Sequence, residues 1–545
     1  MEATRQHQDE PHALPRTSDI DVVVVGAGLA GICAAIVAAE QGASVQVLDS
    51  AHGGGASAVS GGVIYAGGGT RQQVEAGYGG DTPENMFLYL REEVGDAVDE
   101  ATLQRFCEES VGHIAWLEKH GVRFSGALCP FRTSYPTSNY FLYFSGNERA
   151  HPFATVATAR PEGHRAVGVP RGGMNLTGMD FWTALYDSAV RLGVKFQFAS
   201  KAEEVLLDGN GNIEGVRYRA IDNKAKSFRR YLSLTSRAAK YHGLSMHSVA
   251  KRLDRWAKAT WERDAYQRTL EARSVILAAG GYIMDNDMIK KFMPWASRTA
   301  PLGTAGDDGS GIRLGQSVGG SVSYMNYFTT WRLMYPPESL LEGIVVSTSG
   351  ERIAAEDLYG ASFSNIMVEK HGGCGFLILD SKQWQKVKIQ AKTQTQMPWK
   401  AFIQYLIYWA HEKAKTLEDL ARKLKVDPSA LKTTVQAYNN AITSDKPDPV
   451  GKLGYRSIIA TGPFYGIDIS LKPSGMMVVP AMGLGGLRVD GPSGLVLNDT
   501  RERIRGLYAA GRNAVGICSN SYISGLALAD CVFSGKRAGE HAACA

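Results

Sequence analysis

The stretch that decides the fold is DVVVVGAGLAGICAAIVAAEQGASVQVLD, which runs from Asp21 to Asp49. Its pattern predicts a buried parallel strand, a G-x-G-x-x-G turn, a helix and a second strand. These elements are Val22–Val25, Gly26–Gly31, Ile32–Gln41 and Ser44–Leu48. A strand before the glycine turn and a helix after it are the context that a nucleotide-binding βαβ unit requires. The alternative is a βαβ turn with a purely structural role.

The positions in this turn have separate physical roles in dinucleotide binding. Gly26 permits the tight turn, Gly28 lets a pyrophosphate approach the backbone, and Gly31 lets the helix pack closely on the strand. The helix N-terminus offers unpaired N–H groups and a positive dipole end to the phosphates. Asp49 ends the second strand, where a carboxylate can accept a hydrogen bond from a ribose hydroxyl. The sequence therefore predicts a bound dinucleotide.

Composition places the chain among ordinary globular proteins. At 545 residues, with 44% hydrophobic and 21% charged residues, it should form two or more domains. The net charge of +5 gives no sign of nucleic-acid binding. Seven dispersed cysteines without a C-x-x-C pair indicate a reducing compartment, and we expect no metal site. Residues 1–18 are polar and no run of about 18 apolar residues occurs, so we expect a disordered tail and a cytoplasmic protein.

A second glycine-rich loop, His52–Gly69, follows the βαβ unit directly. A flexible linker is the simpler interpretation, but a linker would not carry apolar residues between two glycine clusters. Backbone N–H groups and the small hydroxyls of Ser57 and Ser60 suit contact with a flat, polar cofactor, and Gly61 and Gly62 would let the backbone lie against a ring system.

The end of the chain returns to the cofactor. A short strand ends in the turn Gly511–Arg512, and a helical run from Leu526 to Ala538 begins after Ser524–Gly525. The N–H groups at the start of that helix would stabilise the anionic edge of a reduced flavin ring. Further cofactor contacts are expected at Gly280, after a buried strand that ends in A-A-G-G, and at Asp308, before another helix.

Two aromatic segments, Ser134–Phe144 and Ser323–Pro337, are candidates for the walls of an apolar ligand pocket. The alternative for the first is an ordinary buried strand. The pocket residues that we select are Tyr140, Phe141, Tyr327 and Trp331.

Two helical segments stand apart from this pattern. Residues 220–269 are basic, and residues 396–412 contain an amphipathic helix. A solvated helical excursion and a core-packed helix are the simpler interpretations. The alternative for the basic segment is a surface that contacts anionic lipid or a partner, and the alternative for the amphipathic helix is a membrane-facing lid near a substrate mouth.

The βαβ unit, the GGGASAVSGG loop, the A-A-G-G strand and the terminal YAAGR and Y-x-S-G motifs together resemble the fumarate reductase and 3-ketosteroid dehydrogenase flavoprotein family. The Y-x-S-G and E-D-L-Y-G motifs are most similar to the 3-ketosteroid Δ4-dehydrogenases that act on 5α-steroids. The resemblance implies an α/β fold in which a Rossmann-type FAD-binding domain (19–299 and 472–545) is interrupted by an inserted α+β catalytic domain (300–471). Asp49 stands where the family more often has Glu.

The resemblance implies non-covalent FAD and dehydrogenation of a 3-ketosteroid next to its ketone, with Δ4 favoured over Δ1. In that chemistry Tyr522 and the Gly525 amide would polarise the ketone, Tyr359 would take the α-proton, and a hydride would pass to flavin N5. Ser524 would either relay the proton or bind the ketone. The electron acceptor and the oligomeric state stay open.

The main alternative is a soluble fumarate-type enoate reductase. A dicarboxylate substrate needs converging cations, and Arg332, Arg352 and His371 are the candidates. The aromatic pocket segments and the hydroxyls of Y-x-S-G disfavour it. A third hypothesis is a flavin-bearing scaffold without turnover.

Overall fold

The computed structural model describes residues 20–169, 176–243, 246–332, 335–397 and 399–545. The predicted tail, residues 1–18, lies outside them. The helices are α1 Leu29–Glu40, α2 Gly55–Ala58, α3 Arg71–Glu75, α4 Pro83–Val94, α5 Glu100–Glu108, α6 Ser110–Lys119, α7 Phe153–Val156, α8 Gly178–Arg191, α9 Lys226–Gly243, α10 His247–Asp264, α11 Asn286–Phe292, α12 Ser310–Ser317, α13 Gly360–His371, α14 Ser381–Gln390, α15 Trp399–Tyr408, α16 Leu417–Leu424, α17 Pro428–Thr443 and α18 Leu526–Ala543.

The strands are β1 Val22–Val25, β2 Val45–Leu48, β3 Val63–Tyr65, β4 Leu142–Tyr143, β5 Gly163–Arg165, β6 Lys195–Gln197, β7 Ser200–Leu207, β8 Ile213–Ala220, β9 Tyr266–Glu271, β10 Ser274–Leu277, β11 Ala300–Pro301, β12 Val322–Ser323, β13 Phe328–Thr330, β14 Ile344–Val346, β15 Phe376–Leu379, β16 Glu412–Ala414, β17 Phe464–Asp468, β18 Pro480–Gly483, β19 Gly486–Leu487, β20 Leu495–Leu497 and β21 Arg503–Ala509.

The first βαβ unit builds a six-stranded sheet in the order β20-β21-β10-β1-β2-β6. Strand β1 lies in its interior, and Val22 pairs in parallel with Val45 of β2 and with Ser274 of β10. All four valines of β1 are buried, as the unbroken apolar run predicts. The last parallel strand, β21, comes from the end of the chain, so both chain ends contribute to one Rossmann-type sheet. The predicted fold class is confirmed.

The terminal helix α18 packs directly on α1. A Cβ added to Gly535 or Gly539 would lie 2.4 Å from the carbonyl oxygen of Ala30 or Ala34, so only glycine permits this approach. Since the pairs advance together along both helices, α1 and α18 run parallel. With a rise of about 1.5 Å per residue, α18 begins about 12 Å before α1 along their common direction. Two helix N-termini therefore face the same side of the molecule at different depths.

The basic segment is an excursion from a small meander. Strands β7, β8 and β9 form an antiparallel sheet, and the predicted turn Asp208–Gly211 joins the first two. Helices α9 and α10 lie between β8 and β9 and pack on each other through a small apolar cluster that includes Tyr231 and Ala257. The Tyr231 hydroxyl donates to the Ser50 carbonyl over 2.7 Å, and this bond connects the pair of helices α9 and α10 to the loop after β2.

The inserted domain is α+β. Its sheet has the order β14-β15-β17-β16, and its core includes Leu341, Phe363 and Leu377. Two further strand pairings, β11 with β18 and β12 with β19, connect this domain to residues 480–487, beyond the predicted boundary after Leu471.

Helix α15 buries Ile403, Leu406 and Ile407 against the core of the inserted domain. Its end and the residue after it expose two aromatic side chains, because Tyr408 is 66% exposed and Trp409 is 72% exposed. In the part of the chain that the structure describes, no helix combines the length and the apolar character that crossing a bilayer requires.

Candidate active site

The glycine turn at the start of α1 leaves room for a ligand at one position and none at another. Gly28 is the N-cap of α1, so the helix is uncapped in the sense that its N-cap residue has no side chain, and its first turn has no acidic residue. A Cβ added to Gly28 would meet no heavy atom within 4 Å, whereas a Cβ on Gly31 would lie 1.9 Å from the Gly26 carbonyl oxygen. Gly31 therefore serves helix packing, and the open space at Gly28 suits an approaching pyrophosphate.

Asp49 organises this turn through its carboxylate. The carboxylate accepts hydrogen bonds from the backbone N–H groups of Ala27, Ala51 and Gly53, over 2.8, 2.8 and 3.1 Å. A carboxylate offers about four acceptor positions, so one remains for a ribose hydroxyl. Asp49 thus joins the glycine turn to the loop after β2 and keeps the capacity that the sequence predicts for it.

The second glycine-rich loop lies against the same helix. The Ser57 hydroxyl accepts from the Leu29 N–H over 3.3 Å, and the Ser60 hydroxyl accepts from the Gly62 N–H over 3.2 Å. The Gly61 carbonyl accepts from the Tyr135 hydroxyl over 2.8 Å. These bonds order the loop beside the α1 N-terminus, so it is not a free linker.

The N-terminus of α18 is also uncapped. Gly525 is its N-cap with φ +94°, a conformation that favours glycine, and no side chain caps Leu526 or the residues after it. A Cβ on Gly525 would lie 2.6 Å from the Tyr65 backbone nitrogen. By contrast, α4 and α5 begin with side-chain caps from Thr82 and Asp99. Two uncapped N-termini facing one side fit the pyrophosphate and the ring end of one bound FAD.

Arg512 and Asp308, both predicted cofactor contacts, have ionic partners within the protein. Arg512 pairs with Asp307, which also accepts from the Gly281 N–H over 3.1 Å, next to Gly280. Asp308 pairs with Lys201 over 2.7 Å. Burial alone would raise the pKa of Asp308, but the Lys201 ammonium and hydrogen bonds from Ser310 together lower the pKa. Asp307 is the organising carboxylate that sequence reasoning did not select.

The predicted catalytic residues meet in a buried group of phenols, together with a tyrosine that was not selected. Tyr359 is the N-cap of α13 and is 1% exposed, and among the described residues its hydroxyl has no hydrogen-bond partner. Burial raises the pKa of Tyr359 well above its usual range; the phenols of Tyr522, Tyr143 and Tyr335 add to the shift, and the Ser524 hydroxyl opposes it. Tyr522 packs against the apolar core that contains Tyr359, and Ser524, two residues later, is hydrogen-bonded to Tyr143.

Tyr143 belongs to this group but was not among the residues selected from the sequence. Its hydroxyl is hydrogen-bonded to the Ser524 hydroxyl over 2.8 Å, and its ring is fully buried. The density of aromatics in Ser134–Phe144 was the only signal for it. Burial raises the pKa of Tyr143 well above its usual range, and the bond to Ser524 opposes that shift.

Tyr522 is the member of this group whose surroundings include Arg512, a predicted cofactor contact. Burial and the neighbouring Cys518 thiol raise the pKa of Tyr522, and Arg512 opposes the shift. The Gly525 amide follows three residues later at the start of α18. A ketone oxygen bound beside the Tyr522 hydroxyl would thus lie near a helix N-terminus, where developing negative charge is stabilised.

The four predicted pocket residues lie in four different environments. Trp331 packs against the core that contains Tyr359, and among the described residues its indole N–H is buried without a hydrogen-bond partner. Tyr140 packs edge-on against Phe131 at the rim of the aromatic segment. Phe141 lies under the Arg165 guanidinium, 5.2 Å from its ring centre. Tyr327 is 38% exposed and packs on Tyr324 at the surface.

Two of the three candidate cations for a dicarboxylate have partners within the protein, and the third lies at the opposite end of α13 from Tyr359. Arg332 donates to the backbone carbonyls of residues 469, 470 and 477. Arg352 pairs with Glu356 and Asp448, whose side chains have no exposed surface. His371 ends α13, whereas Tyr359 precedes its first residue. The group of phenols is therefore not lined by these cations.

Comparisons with known proteins identify the family of the chain. The family described as FAD binding domain matches residues 21–522. The chain is 34% identical over 507 residues to a 3-oxo-5-alpha-steroid 4-dehydrogenase of Comamonas testosteroni, with 90% of this chain and 92% of that protein covered. Over 538 residues it is 23% identical to a fumarate reductase (cytochrome) of Shewanella frigidimarina, covering 96% of this chain and 77% of that protein.

Among solved structures, the chain is similar to the 3-ketosteroid-Δ4-(5α)-dehydrogenase of Rhodococcus jostii RHA1, in complex with 4-androstene-3,17-dione. The TM-score is 0.81 with 27% identity, and the match covers 98% of both chains.

Substituting Gly28 should separate cofactor binding from folding. Gly28→Ala should fold normally, because its φ of −72° suits any residue and the added methyl meets open space. It should weaken FAD binding by about tenfold or more, about 1.4 kcal/mol, because the methyl occupies the path of the pyrophosphate. Titrating apoprotein with FAD and following flavin fluorescence measures this. Gly31→Ala is the contrast. Its added methyl would clash with the Gly26 carbonyl oxygen, so its main effect should be a lower thermal stability. Unchanged FAD affinity in Gly28→Ala would contradict the assignment.

Proposed function

Because the chain belongs to the FAD binding domain family and is an FAD-dependent oxidoreductase acting on CH–CH groups, we propose that its reaction is the dehydrogenation of a 3-ketosteroid. The new double bond lies next to the ketone, at Δ4 in preference to Δ1. The observation that carries the proposal is the buried Tyr359 hydroxyl without a partner, surrounded by Tyr143, Tyr522 and Ser524. Apolar walls with a few converging hydroxyls suit a rigid, apolar ketone.

Tyr522 and the Gly525 amide polarise the ketone in this mechanism. A C–H bond next to a carbonyl becomes acidic only when negative charge on the carbonyl oxygen is stabilised. The Tyr522 phenol donates to that oxygen, and the N-terminus of α18 adds a positive dipole end. When bound, FAD supplies the acceptor, at N5, for the hydride that leaves the β carbon.

Tyr359 takes the α-proton. Since burial raises the pKa of Tyr359, the phenol is protonated at neutral pH, and the base is the phenolate that forms as the pH rises. The phenolate takes the α-proton as the C–H bond breaks and becomes a neutral phenol, which must release that proton to solvent before the next turnover. The Ser524 and Tyr143 hydroxyls, hydrogen-bonded to each other over 2.8 Å, are the proposed path for that release.

The enoate reductase is disfavoured by the engagement of Arg332 and Arg352 with other groups.

FAD is held non-covalently in this proposal, since the glycine loop from Gly61 to Gly69 contains no histidine. Acid precipitation should therefore release all of the flavin into the supernatant.

The experiment that tests the function is an anaerobic reduction of the enzyme by substrate. The holoenzyme is mixed with 5α-androstane-3,17-dione, bleaching of the flavin is followed, and the product is identified by mass spectrometry and NMR. We expect bleaching and a C4–C5 double bond. A C1–C2 double bond would overturn the Δ4 assignment. Reoxidation of the reduced enzyme by fumarate, without bleaching by any ketosteroid, would favour the reductase.

Replacing each of the two tyrosines proposed for catalysis should affect a different step. Tyr522→Phe should lower kcat by about 10²-fold, because one oxyanion donor is removed. Tyr359→Phe should abolish deuterium exchange at the α carbon of a bound ketone. Since the pKa of Tyr359 is raised, exchange in the unaltered enzyme should quicken as the pH rises through the alkaline range, and Tyr359→Phe should lose that dependence. Retained exchange in Tyr359→Phe would point to another base.

A peripheral membrane contact is the second part of the proposal. Tyr408 and Trp409 form an exposed aromatic pair, and the segment that carries them also contains the exposed Lys400 and Lys413. Aromatic rings flanked by lysines favour the interface of an anionic bilayer, from which an apolar ketosteroid would be drawn.

Replacing the aromatic pair should release the enzyme from vesicles. Tyr408→Ser combined with Trp409→Ser should reduce pelleting with phosphatidylglycerol vesicles by at least half, because the inserted rings are lost. Val74→Ser, which changes a residue that is 57% exposed in α3, is the control and should pellet normally. Equal pelleting of all three proteins would reject this contact.

A further inference from the structure

A buried polar bridge connects the segment that carries Tyr359 with the segment that carries Tyr522. Its members are Asn147, which has no exposed surface, and Glu93, which is 6% exposed in the last turn of α4. The Asn147 amide donates to a Glu93 carboxylate oxygen over 2.7 Å. This pair forms the Asn147–Glu93 bridge.

The Asn147 end of the bridge holds the start of α13. The Tyr359 backbone N–H donates to the Asn147 amide oxygen over 2.6 Å, and the Asn147 amide nitrogen donates to the Ser362 hydroxyl over 2.8 Å. The Asn147 backbone N–H donates to the Tyr89 hydroxyl over 2.8 Å. The side-chain amide therefore uses both its oxygen and its nitrogen, and a buried network with its partners satisfied is rigid.

The Glu93 end holds the loop that precedes Tyr522. The Ser521 hydroxyl donates to the second carboxylate oxygen of Glu93 over 2.7 Å. The neighbouring Asn520 amide donates to the Val94 carbonyl over 3.0 Å. Two bonds to the last turn of α4 thus fix the backbone immediately before Tyr522.

The bridge spans two parts of the chain that are far apart in sequence. Helix α13 belongs to the inserted domain, whereas the loop at 519–522 belongs to the returning part of the FAD-binding domain. Without a connection, small movements between these parts would change the distance between the base and the ketone-polarising phenol. A shift of about 1 Å in a catalytic group can cost about 10²-fold in rate.

We propose that Asn147 is a positioning residue that acts through Tyr359, and that Glu93 acts through Ser521 on Tyr522, so that the bridge sets the separation of the two phenols. The inference rests on the proposed function, because it assigns the bridge to the geometry of that same site. Neither residue contacts the substrate in this proposal.

Asn147→Ala should lower kcat per bound flavin by about 10- to 100-fold and leave KM within about threefold, because the Tyr359 hydroxyl is misplaced while the pocket walls remain. Flavin content and the thermal midpoint are measured on the same holoenzyme. If the loss of activity is fully accounted for by a lower fraction of folded, flavin-loaded protein, the bridge has a structural role only.

Asn85→Ala is the matched control in the same helix as Glu93. Asn85 makes three comparable side-chain hydrogen bonds, to Asp81 over 3.0 Å and to the Thr158 backbone over 2.9 and 2.8 Å. None of these bonds involves the residues proposed for catalysis, which are Tyr143, Tyr359, Tyr522 and Ser524. It should leave kcat unchanged.

Glu93 offers a second, internal comparison. Glu93→Ala should resemble Asn147→Ala, whereas Glu93→Gln should recover most of the loss, because the amide oxygen can accept from Asn147 and the amide nitrogen can donate to Ser521. Equal losses in Glu93→Gln and Glu93→Ala would overturn the positioning role.

Hydrogen–deuterium exchange of the holoenzyme tests the bridge without turnover. Asn147→Ala should quicken exchange in residues 519–522, and Glu93→Ala should quicken exchange in the first turn of α13, each at the far end of the bridge. Changes confined to the near end would overturn the coupling. If no ketosteroid reduces the flavin of the unaltered enzyme, the proposed function fails. The exchange pattern would still decide whether the bridge couples the two segments.

Discussion

The close parallel packing of α1 on α18 is the contact on which the rest of the site depends. Gly535 and Gly539 remove the side chains that would otherwise separate the two helices. Because the helices run in the same direction with an offset of about 12 Å, their uncapped N-termini present two positive dipole ends at successive depths. One helix comes from the beginning of the chain and the other from its end. A bound dinucleotide therefore bridges the two ends of the chain.

The side chains proposed for catalysis come from both domains. Tyr143 comes from the FAD-binding part, Tyr359 is the N-cap of a helix of the inserted domain, and Tyr522 and Ser524 precede α18. Burying several phenols together is unfavourable unless their hydroxyls find partners. The hydrogen bond between Tyr143 and Ser524 satisfies one phenol hydroxyl and one serine hydroxyl, whereas the Tyr359 hydroxyl has no hydrogen-bond partner among the described residues. Burial raises the pKa of each phenol, so the Tyr359 phenolate that the proposed base catalysis requires forms only as the pH rises.

Short-range patterns made much of the fold predictable. The βαβ unit, the Asp208–Gly211 hairpin and the helix at the end of the chain depend on spacing and on glycine chemistry within a few tens of residues. The motifs around Tyr359 and Tyr522 pointed to residues that do lie together. Asp307, Asn147 and Glu93 escaped prediction because their roles are defined by partners hundreds of residues away. An isolated Asn or Glu in a sequence carries no sign of such a partner.

The sequence by itself determined a dinucleotide site, since a strand, a glycine turn and a helix create a phosphate site from local geometry, and the resemblance of its motifs identified the dinucleotide as FAD. It also supplied the aromatic and hydroxyl-rich segments that are proposed for the substrate side. Only the tertiary structure decided which side chains have partners inside the protein and which are exposed: it directed Arg352 into a buried ion network, Arg332 onto backbone carbonyls and Tyr327 to the surface. The physical reason is that burial and partner choice depend on where distant segments meet, and a residue's local sequence does not specify that meeting.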